Sequence, residues 1–196
     1  MPGKNHPQVS FSDEPLILVN EKDEVVGYKD KVSCHVGDGI LHRAFSIFIF
    51  NGKGQVLMQK RSAEKPLWPL FWSNSCCSHP RKGESYQVAT QRRLKEELGF
   101  TTRLKFLFKF QYQARFGQVG SENELCSVYV GRYDGPVQVN AREIAEWEWI
   151  TVEELEKEMQ EHPERFTPWF KMEWERMRRE YWPEISALWK GNSGEE

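Results

Sequence analysis

Short apolar runs separated by polar turn residues dominate the first third of the chain. Leu16–Val19 and Glu24–Tyr28 flank a polar Asn-Glu-Lys-Asp segment, and Ala44–Phe50 and Gln55–Arg61 flank Asn-Gly-Lys-Gly. Asparagine and glycine accept the positive φ values that tight turns between strands require. The pattern therefore predicts two β-hairpins, of which the second has the stronger turn signal.

The middle of the chain changes from a helical to a strand pattern. Ser85–Leu98 has helical spacing of its apolar residues, and the Gly99 that follows is typical of a helix C-cap. Alternation of apolar and polar residues is typical of strands that bury one face. Three further segments are predicted as strands on this basis: Leu104–Phe116, Glu124–Arg132 and Glu143–Ile150.

The last quarter of the chain is predicted to be helical. Thr151 is a helix N-cap candidate, with Glu153 and Glu154 in the first turn of a helix that runs to about residue 160. Residues 167–190 are predicted to be mostly helical, with a kink or interruption at Pro183 because proline cannot donate a backbone hydrogen bond.

The order of these elements favours an α+β fold with mixed α/β/α layers. Hairpins, one helix, more strands and C-terminal helices do not alternate as they would in a doubly wound parallel sheet. We expect a loose, polar N-terminal lead-in over residues 1–14, a single catalytic domain over residues 15–190 and a polar tail over residues 191–196.

Composition excludes several classes of protein. The 196 residues carry a formal net charge of −2, which disfavours a nucleic-acid-binding protein because no cationic excess faces a polyanion. The longest apolar run, Ala44–Phe50, is too short to span a bilayer, and the N-terminus lacks the apolar core of a signal peptide. We therefore expect a cytoplasmic protein without a membrane span and with four reduced cysteines, Cys34, Cys76, Cys77 and Cys126. The sequence does not define its oligomeric state.

Three histidines and two glutamates could form a metal site. Glu122 and Glu124 are spaced i, i+2, so a strand would place both carboxylates on one face, where they repel each other unless a cation lies between them. Together with His35, His42 and His79 they would suit Zn²⁺, Mn²⁺, Fe²⁺ or Mg²⁺. Spacing alone leaves the alternative of separate, hydrogen-bonded surface residues open.

A degenerate Nudix box extends from Ser78 to Phe100. Aligning the box glycine with Gly99 leaves two mismatches: Ser78 replaces the first glycine and Arg93 replaces a glutamate that holds catalytic metals in Nudix hydrolases. The reversed charge at Arg93 argues against hydrolysis, and an ordinary amphipathic helix is the alternative. The positions that match the pattern are Glu84, Arg92, Leu94, Glu96 and Glu97.

Cations and aromatics adjoin these motifs. Arginine forks and lysine ammonium groups bind phosphate oxygens, although surface cations need no function. Tyr112 and Trp169 adjoin the polar motifs, and core packing is the alternative for both. The cations are Lys31, Arg61, Lys65, Arg92 and Arg93.

Taken together, the motifs from about Lys31 to Trp169 resemble the type I isopentenyl-diphosphate isomerases, a non-hydrolytic branch of the Nudix superfamily. The resemblance is carried by HVGDGILHRAFSIFIFN, QKRSAEKPLWPLFWSNSCCSHP, the box with Arg93, SENELC and FTPWF, in this order. It implies a Nudix-like fold with additional N-terminal strands and C-terminal helices. It also implies an isoprenoid-pathway enzyme that moves the C=C bond of isopentenyl diphosphate to give dimethylallyl diphosphate.

The resemblance also implies the role of each site residue. Catalysis would rest on Cys77, Glu124 and Tyr112, with Trp169 beside the hydrocarbon tail. Glu97 would hold a second Mg²⁺ against the diphosphate. The metal ligands, for Mn²⁺, Zn²⁺ or Mg²⁺, would be His35, His42, His79, Glu122 and Glu124. The diphosphate would be bound by Lys31, Arg61, Lys65 and Arg93.

The chemistry of a double-bond shift supports these residue types independently. Without a carbonyl to stabilise an anion, the reaction needs protonation to a tertiary carbocation and loss of a different proton. A carboxyl beside a tyrosine can deliver the first proton and a thiolate can take the second, although the order is open. Two alternatives remain: a Nudix pyrophosphohydrolase acting on a nucleoside diphosphate derivative, and a silent Nudix domain that only binds.

Overall fold

One mixed sheet of nine strands forms the framework of the protein. The structure, a computed structural model, describes residues 6–190. In chain order its helices and strands are β1 (Pro15–Val19), β2 (Val25–Asp30), α1 (Lys31–His35), β3 (His42–Phe50), β4 (Val56–Arg61), β5 (Trp72–Ser73), β6 (Cys76–Ser78), α2 (Tyr86–Leu98), β7 (Leu104–Phe116), β8 (Gly120–Arg132), β9 (Ile144–Ile150), α3 (Val152–Glu161), α4 (Pro168–Arg176) and α5 (Trp182–Lys190).

Strand β3 occupies the centre of this sheet. It pairs in parallel with β8, from His42 opposite Glu124 to Phe50 opposite Arg132, and antiparallel with β6. Strands β1 and β2 form one predicted hairpin, and β3 and β4 are joined at the second predicted turn. Because β3 is central, its first residue and the residues opposite it lie in the interior of the protein.

The alternation along β3 separates two packed layers. Phe45, Ile47 and Ile49 pack against the apolar residues of α2, in one buried cluster. Phe48 and Phe50 point to the other face, where they pack with the aromatic residues of α4 and α5. Successive residues of a strand face opposite sides, so one strand contributes to both cores. This arrangement confirms the mixed α/β/α layers expected from the sequence.

The two predicted caps, Gly99 of α2 and Thr151 of α3, are present. Gly99 ends α2 with a φ of 82°, and Ser85 adds an N-cap, since its hydroxyl accepts a hydrogen bond from the backbone N–H of Val88 at 3.2 Å. A side chain at Gly99 would also meet Gln138, since a Cβ atom there would lie 2.9 Å from the Cβ of that residue. Helix α3 begins with a capping box between Thr151 and Glu154.

The C-terminal helical region is interrupted, as predicted, but the interruption involves more residues than Pro183 alone. Helix α4 continues into a π-helical turn at 177–181, and α5 begins directly after it with Pro183 as its second residue. Proline cannot donate to the preceding turn and crowds its carbonyl group, and a widened turn relieves both problems. Three short elements, α1, β5 and β6, were not predicted, and β8 begins four residues before the expected Glu124.

The part of the polar lead-in that the structure describes packs against the rest of the protein. Residues 6–14 form no helix or strand, yet Val9 and Glu14 are buried. The carbonyl of Val9 accepts a hydrogen bond from Arg93 at 3.0 Å, and Glu14 pairs with Arg81 at 2.7 Å. Residues 1–5 and the predicted tail 191–196 lie outside the described residues, within which no helix is long and apolar enough to cross a membrane.

Candidate active site

The five predicted metal ligands come together in one cluster. Their donor atoms all lie within 4.8 Å of one another, and four of the five residues are buried. The C-terminal end of α1 supplies His35, the first residue of β3 is His42, and His79 follows β6. Glu122 and Glu124 lie two residues apart on β8, on one face of the strand. The parallel register of β3 with β8, which pairs His42 with Glu124, draws the distant segments together.

Backbone carbonyl groups orient two of the imidazole rings. His35 Nδ1 lies 2.6 Å from the carbonyl oxygen of Lys31, and His42 Nδ1 lies 2.7 Å from that of Ile40. An Nδ1–H that donates to a carbonyl leaves Nε2 with a free electron pair, which is the tautomer that binds a metal ion. These hydrogen bonds therefore turn both Nε2 atoms toward the cluster as donors.

The unsatisfied atoms of the cluster fit a bound cation. His42 Nε2 is buried and has no hydrogen-bond partner among residues 6–190. His35 Nε2 and Glu122 Oε2 are 2.9 Å apart, and this carboxylate oxygen likewise has no aligned hydrogen bond. Buried donor atoms without partners are costly, and a shared metal ion would satisfy them together. Three imidazole nitrogens and two carboxylates form a donor set suited to a divalent transition metal or Mg²⁺.

Charge in the cluster is strongly coupled. Burial lowers the pKa of His35, but the adjacent Glu122 carboxylate outweighs it and raises the pKa to about 9. Burial and the two neighbouring imidazoles hold the pKa of His79 well below its usual range. Burial would raise the pKa of Glu124, but the adjacent His42 and the hydrogen bond from Tyr112 lower it. Glu124 is therefore held as a carboxylate.

Glu124 and Cys77 line the same cavity, which has a volume of about 470 Å³. The Tyr112 hydroxyl donates to Glu124 Oε2 at 2.6 Å, and His79 Nε2 lies 2.8 Å from Oε1. In β6, Cys77 is partly exposed to the cavity, whereas Cys76 points into the core on the other side of the sheet. Burial raises the pKa of the Cys77 thiol to about 12, with Arg61 acting in the opposite direction.

The four predicted diphosphate-binding cations also line this cavity. Arg61 donates to the carbonyl oxygens of Trp68 and Leu67 at 3.0 and 2.9 Å, and its Nη1 lies 3.9 Å from Cys77 Sγ. Lys31 lies 3.8 Å from Glu14, and burial together with nearby Lys65 lowers its pKa. Arg61 and Lys31 are thus each placed by contacts with the protein at the cavity.

A buried glutamate that the sequence analysis did not single out organises the other two cations. Glu143 forms ion pairs with Lys65 and, at 3.2 Å, with Arg93. Although burial opposes it, the charges of these two cations lower the pKa of Glu143 to about 2. Arg93, the residue that departs from the Nudix box, also pairs with Glu97 and is only 2% exposed. Arg93 thus pairs with a carboxylate of its own helix, α2, and also lines the cavity.

Glu97 lies behind the cavity rather than in its lining. Its carboxylate pairs with Arg93, accepts a hydrogen bond from Gln59 at 3.4 Å and is 2% exposed. Its predicted role as the ligand of a second Mg²⁺ therefore remains a prediction, since binding would require the carboxylate to share its charge between Arg93 and the ion. Arg92, by contrast, pairs with Glu84 at 2.7 Å and does not line the cavity.

Trp169 lines the cavity and is fixed by contacts on both sides. Its Nε1–H donates to the Ser73 hydroxyl at 3.1 Å, and that hydroxyl lies 2.9 Å from the hydroxyl of Thr167. The Trp169 ring packs edge-on against Trp68 at 5.3 Å, and the Arg61 guanidinium lies 5.2 Å from its centroid. The indole is therefore fixed on both sides and presents an aromatic face to the cavity.

A family model for the NUDIX domain matches residues 40–170. Isopentenyl-diphosphate Delta-isomerase 1 of Photorhabdus laumondii is 44% identical over 163 residues, which cover 82% of this chain and 93% of that protein. The isopentenyl-diphosphate Delta-isomerase of Serratia proteamaculans is 44% identical over 158 residues, which cover 81% and 88% of the two chains. The chain belongs to the isopentenyl-diphosphate isomerase family. The resemblance inferred from the sequence motifs is thereby confirmed.

Solved structures support the fold of this isomerase-family protein. Deinococcus radiodurans DR0079 superposes with a TM-score of 0.63 at 28% identity, covering 76% of this chain and 90% of that one. A MutT protein from Methanosarcina mazei has a TM-score of 0.59 at 20% identity, covering 71% and 94%, and shows the fold alone. The Nudix fold is confirmed, and the isomerase relatives favour isomerisation over the hydrolase alternative.

Three features of the site in this isomerase-family chain lay beyond the sequence analysis. Glu143 occupies the start of a predicted strand but gave no signal of pairing with cations. Ser73, which positions Trp169, lies in a two-residue strand with no detectable period. The lead-in contributes a wall of the cavity, through Gln8, Ser10, Phe11 and Ser12. The polar, proline-containing sequence of the lead-in predicted a loop, and only tertiary contacts reveal its position.

Proposed function

We propose that this protein interconverts isopentenyl diphosphate and dimethylallyl diphosphate by protonation and deprotonation through a tertiary carbocation. The observation that carries the proposal is the juxtaposition of Cys77 with the Tyr112–Glu124 pair in one cavity, in a chain of the isomerase family. A 1,3-proton shift needs two groups that exchange protons with different carbons. Glu124 and Cys77 would be this pair, with Tyr112 hydrogen-bonded to the first.

The surroundings of this pair suit a cationic intermediate. Water would capture a tertiary carbocation as an alcohol, so the reacting carbons must be shielded. Trp169 and Leu67 are 2% and 5% exposed, line the cavity and would provide that apolar wall. The face of an indole ring attracts a cation by about 0.5–2 kcal/mol. Trp169 would therefore stabilise the charge while the residues around it exclude water.

Cations in the lining of the cavity would bind the diphosphate without cleaving it. Lys31, Arg61, Lys65 and Arg93 would supply the positive charge. Glu14 lies beside Lys31, Glu143 pairs with Lys65 and Arg93, and backbone carbonyl groups hold Arg61. Bidentate arginine and lysine contacts neutralise phosphate oxygens, whereas hydrolysis needs an activated water and a metal at the position that Arg93 occupies. This contrast supports an isomerase rather than a pyrophosphohydrolase.

The His/Glu cluster would hold one divalent metal ion through His35, His42, His79, Glu122 and Glu124. We propose Mn²⁺, Zn²⁺ or Mg²⁺ here, and a second Mg²⁺ that Glu97 would hold beside the diphosphate. When bound, such an ion neutralises buried carboxylates and acts as a Lewis acid. The chain itself would keep Glu124 aligned through Tyr112 and His79.

We further propose a cytoplasmic location and a small isoprenoid diphosphate as the substrate. A reaction that uses Cys77 needs a free thiol, and reducing compartments keep thiols free. Cys77 has no disulfide partner within residues 6–190.

Proton NMR of isopentenyl diphosphate in D₂O, with purified protein and either Mg²⁺ or Mn²⁺, tests the proposed function. We expect loss of the vinylidene signal, growth of dimethylallyl diphosphate and incorporation of deuterium, with none of these for the Cys77→Ala variant. An unchanged substrate with folded, metal-loaded protein would overturn the proposal. Phosphate release from nucleoside diphosphate derivatives would then indicate the hydrolase, and binding without turnover would indicate the silent domain.

A further inference from the structure

One of the five lysine and arginine residues that line the catalytic cavity differs from the others in its contacts with the protein. Within the part of the chain that the structure describes, Arg142 lines the cavity, yet its side chain makes no hydrogen bond or ion pair with the protein. The other cations of the lining are each bound to carboxylates or carbonyl groups of the protein: Lys31, Arg61, Lys65 and Arg93. Arg142 alone among these five presents all of its donors to solvent and to the cavity.

The backbone that carries Arg142 is firmly anchored. Its N–H donates to Oδ1 of Asn140 at 3.1 Å, and the N–H of Glu143 donates to the Asn140 carbonyl at 2.9 Å. Asn140 is 4% exposed, donates through its own N–H to the Glu97 carbonyl at the end of α2, and donates through its side chain to the carbonyl of Pro7, both at 2.9 Å. A fixed backbone thus positions a side chain that is itself free to reach a ligand.

Adjacent residues of this turn have complementary electrostatic roles. Glu143 points inward and neutralises Lys65 and Arg93, whereas Arg142 is exposed. Cations that already have carboxylate partners contribute less net positive potential to an incoming anion than an unpaired one does. Together with Arg61, whose partners are neutral carbonyl groups, Arg142 therefore contributes uncompensated positive charge to the cavity.

We propose that Arg142 is a further substrate-recognition residue, which captures the diphosphate group of the isoprenoid substrate at the mouth of the cavity. This inference rests on the proposed function, because it assigns the anion to the same site. A guanidinium group binds two phosphate oxygens through parallel N–H donors, and an unpaired one has no intramolecular bond to break first. Arg142 has no contact with Cys77 or Glu124 among the described residues, so we expect its effect on binding and on the rate of capture rather than on proton transfer.

Steady-state kinetics of Arg142→Ala, Arg142→Lys and Arg103→Ala with isopentenyl diphosphate test this inference. Arg103 is a matched control, because its side chain is also exposed and unpaired within residues 6–190 but does not line the cavity. We expect Arg142→Ala to raise KM about 5- to 10-fold with kcat changed less than twofold, since a solvent-accessible charged contact is worth on the order of 1 kcal/mol. Arg142→Lys should lose less, and Arg103→Ala should behave as the unmodified protein.

The salt dependence of kcat/KM distinguishes a role in substrate binding from a structural role, because a purely structural role would not change it. Between about 20 and 300 mM NaCl, kcat/KM of the unmodified protein should fall more steeply than that of Arg142→Ala, because salt screens the captured charge. Equal KM values and equal salt slopes for the unmodified protein and Arg142→Ala would overturn the inference. Calorimetric titration with inorganic diphosphate separates this result from failure of the proposed function: weaker binding by Arg142→Ala than by Arg103→Ala supports the anion site even without isomerase activity, and equal binding overturns it.

Discussion

Tyr112 and Glu124 lie directly opposite each other in the β7–β8 hairpin, and the phenol oxygen is 2.6 Å from Oε2 of the carboxylate. The other carboxylate oxygen, Oε1, lies 2.8 Å from His79 Nε2. Tyr112 is 6% exposed, and burial raises its pKa well above the usual range, so the phenol keeps its proton and donates it in this hydrogen bond. Two contacts therefore fix both oxygens of the proposed catalytic carboxylate.

Replacing Tyr112 with phenylalanine removes this hydrogen bond and little else. The ring packs against Phe110 and Trp169, with centroids 5.4 and 6.2 Å away, and phenylalanine preserves that packing. We expect Tyr112→Phe to lower kcat about 10- to 100-fold, because an oriented proton-transfer group loses its partner. The thermal midpoint should change little. Tyr133→Phe is the control, since its hydroxyl bonds to the Pro136 carbonyl on the surface; equal kcat values for the two variants would contradict the role of Tyr112.

Substitution of Cys77 and of the neighbouring Cys76 should have different effects on turnover and on stability. Cys77 pairs with Ser46 in the sheet and lines the cavity, whereas Cys76 pairs with Ile47 and is fully buried against α2. We expect Cys77→Ala to abolish turnover with an unchanged thermal midpoint. Cys76→Ala should keep most of the activity and lose on the order of 1 kcal/mol of stability, because it leaves a small cavity. Turnover and thermal midpoint of both variants, measured together, check this; comparable losses of turnover in two folded variants would remove Cys77 from its assigned role.

The comparison of predicted and observed helices and strands shows how far a local sequence pattern can predict the fold. The apolar run Ala44–Phe50 with its following turn, and the helical spacing of Ser85–Leu98 with its Gly99 cap, depend on neighbouring residues, so both elements were predicted close to their observed bounds. Strand β6 has only three residues and exists because it pairs with β3. A segment of that length has no measurable period, so its formation depends on the tertiary structure and cannot be predicted from its own sequence.

The site was predictable in its residue types but not in its electrostatics. The histidines and glutamates were recognisable by their chemistry and by the order of the motifs. Their proximity depends on the register that pairs His42 with Glu124, two residues on distant segments. Glu143, which holds Lys65 and Arg93, carries no local signal, because its partners lie far away in the sequence. Long-range ion pairs of this kind become visible only in the folded structure.

Metal removal should affect activity and stability together. We expect a strong chelator to abolish isomerisation and to lower the thermal midpoint, because an ion bound to the folded state alone stabilises it by about 2.7 kcal/mol at 100 times its Kd. Both should return when Mn²⁺ or Mg²⁺ is added in excess. His35→Gln should reduce the bound metal measured by elemental analysis, while His162→Gln, whose ring is half exposed beside Glu164, should not. Equal metal content in these two variants would exclude His35 as a ligand.

Glu173 provides a test of electrostatics outside the metal cluster. It lies on the inner face of α4, one turn after Trp169, and is completely buried. Its Oε1 is 3.5 Å from Cys126 Sγ, and its Oε2 has no hydrogen-bond partner among the described residues. Burial raises the pKa of Glu173 to about 8, with a smaller contribution from the charge of Glu124 and against the hydrogen bonds of Ser46 and Cys126. The folded protein therefore holds this carboxyl as a neutral acid at pH 7.

This raised pKa predicts the sign of a pH effect on the free energy of unfolding. Below about pH 4.5 the carboxyl is protonated in both states and has no effect. Between that value and about pH 8 the unfolded chain ionises while the folded protein keeps its proton, so rising pH destabilises the fold by up to about 1.4 kcal/mol per pH unit. Glu173→Gln cannot ionise, and its unfolding free energy minus that of the unmodified protein should increase steadily from pH 5 to pH 8.

Urea unfolding at several pH values, with metal-saturated protein throughout, measures this difference. The offset at pH 5 reports how well the amide packs, and only the slope reports the proton, so a poor fit of glutamine does not obscure the result. Glu21→Gln is the control, because Glu21 lies on an exposed turn and its difference should stay flat across the range. A flat difference for Glu173→Gln as well would mean that Glu173 ionises in the folded protein as readily as in the unfolded chain, which would require a cation or water beside Oε2 to offset its burial.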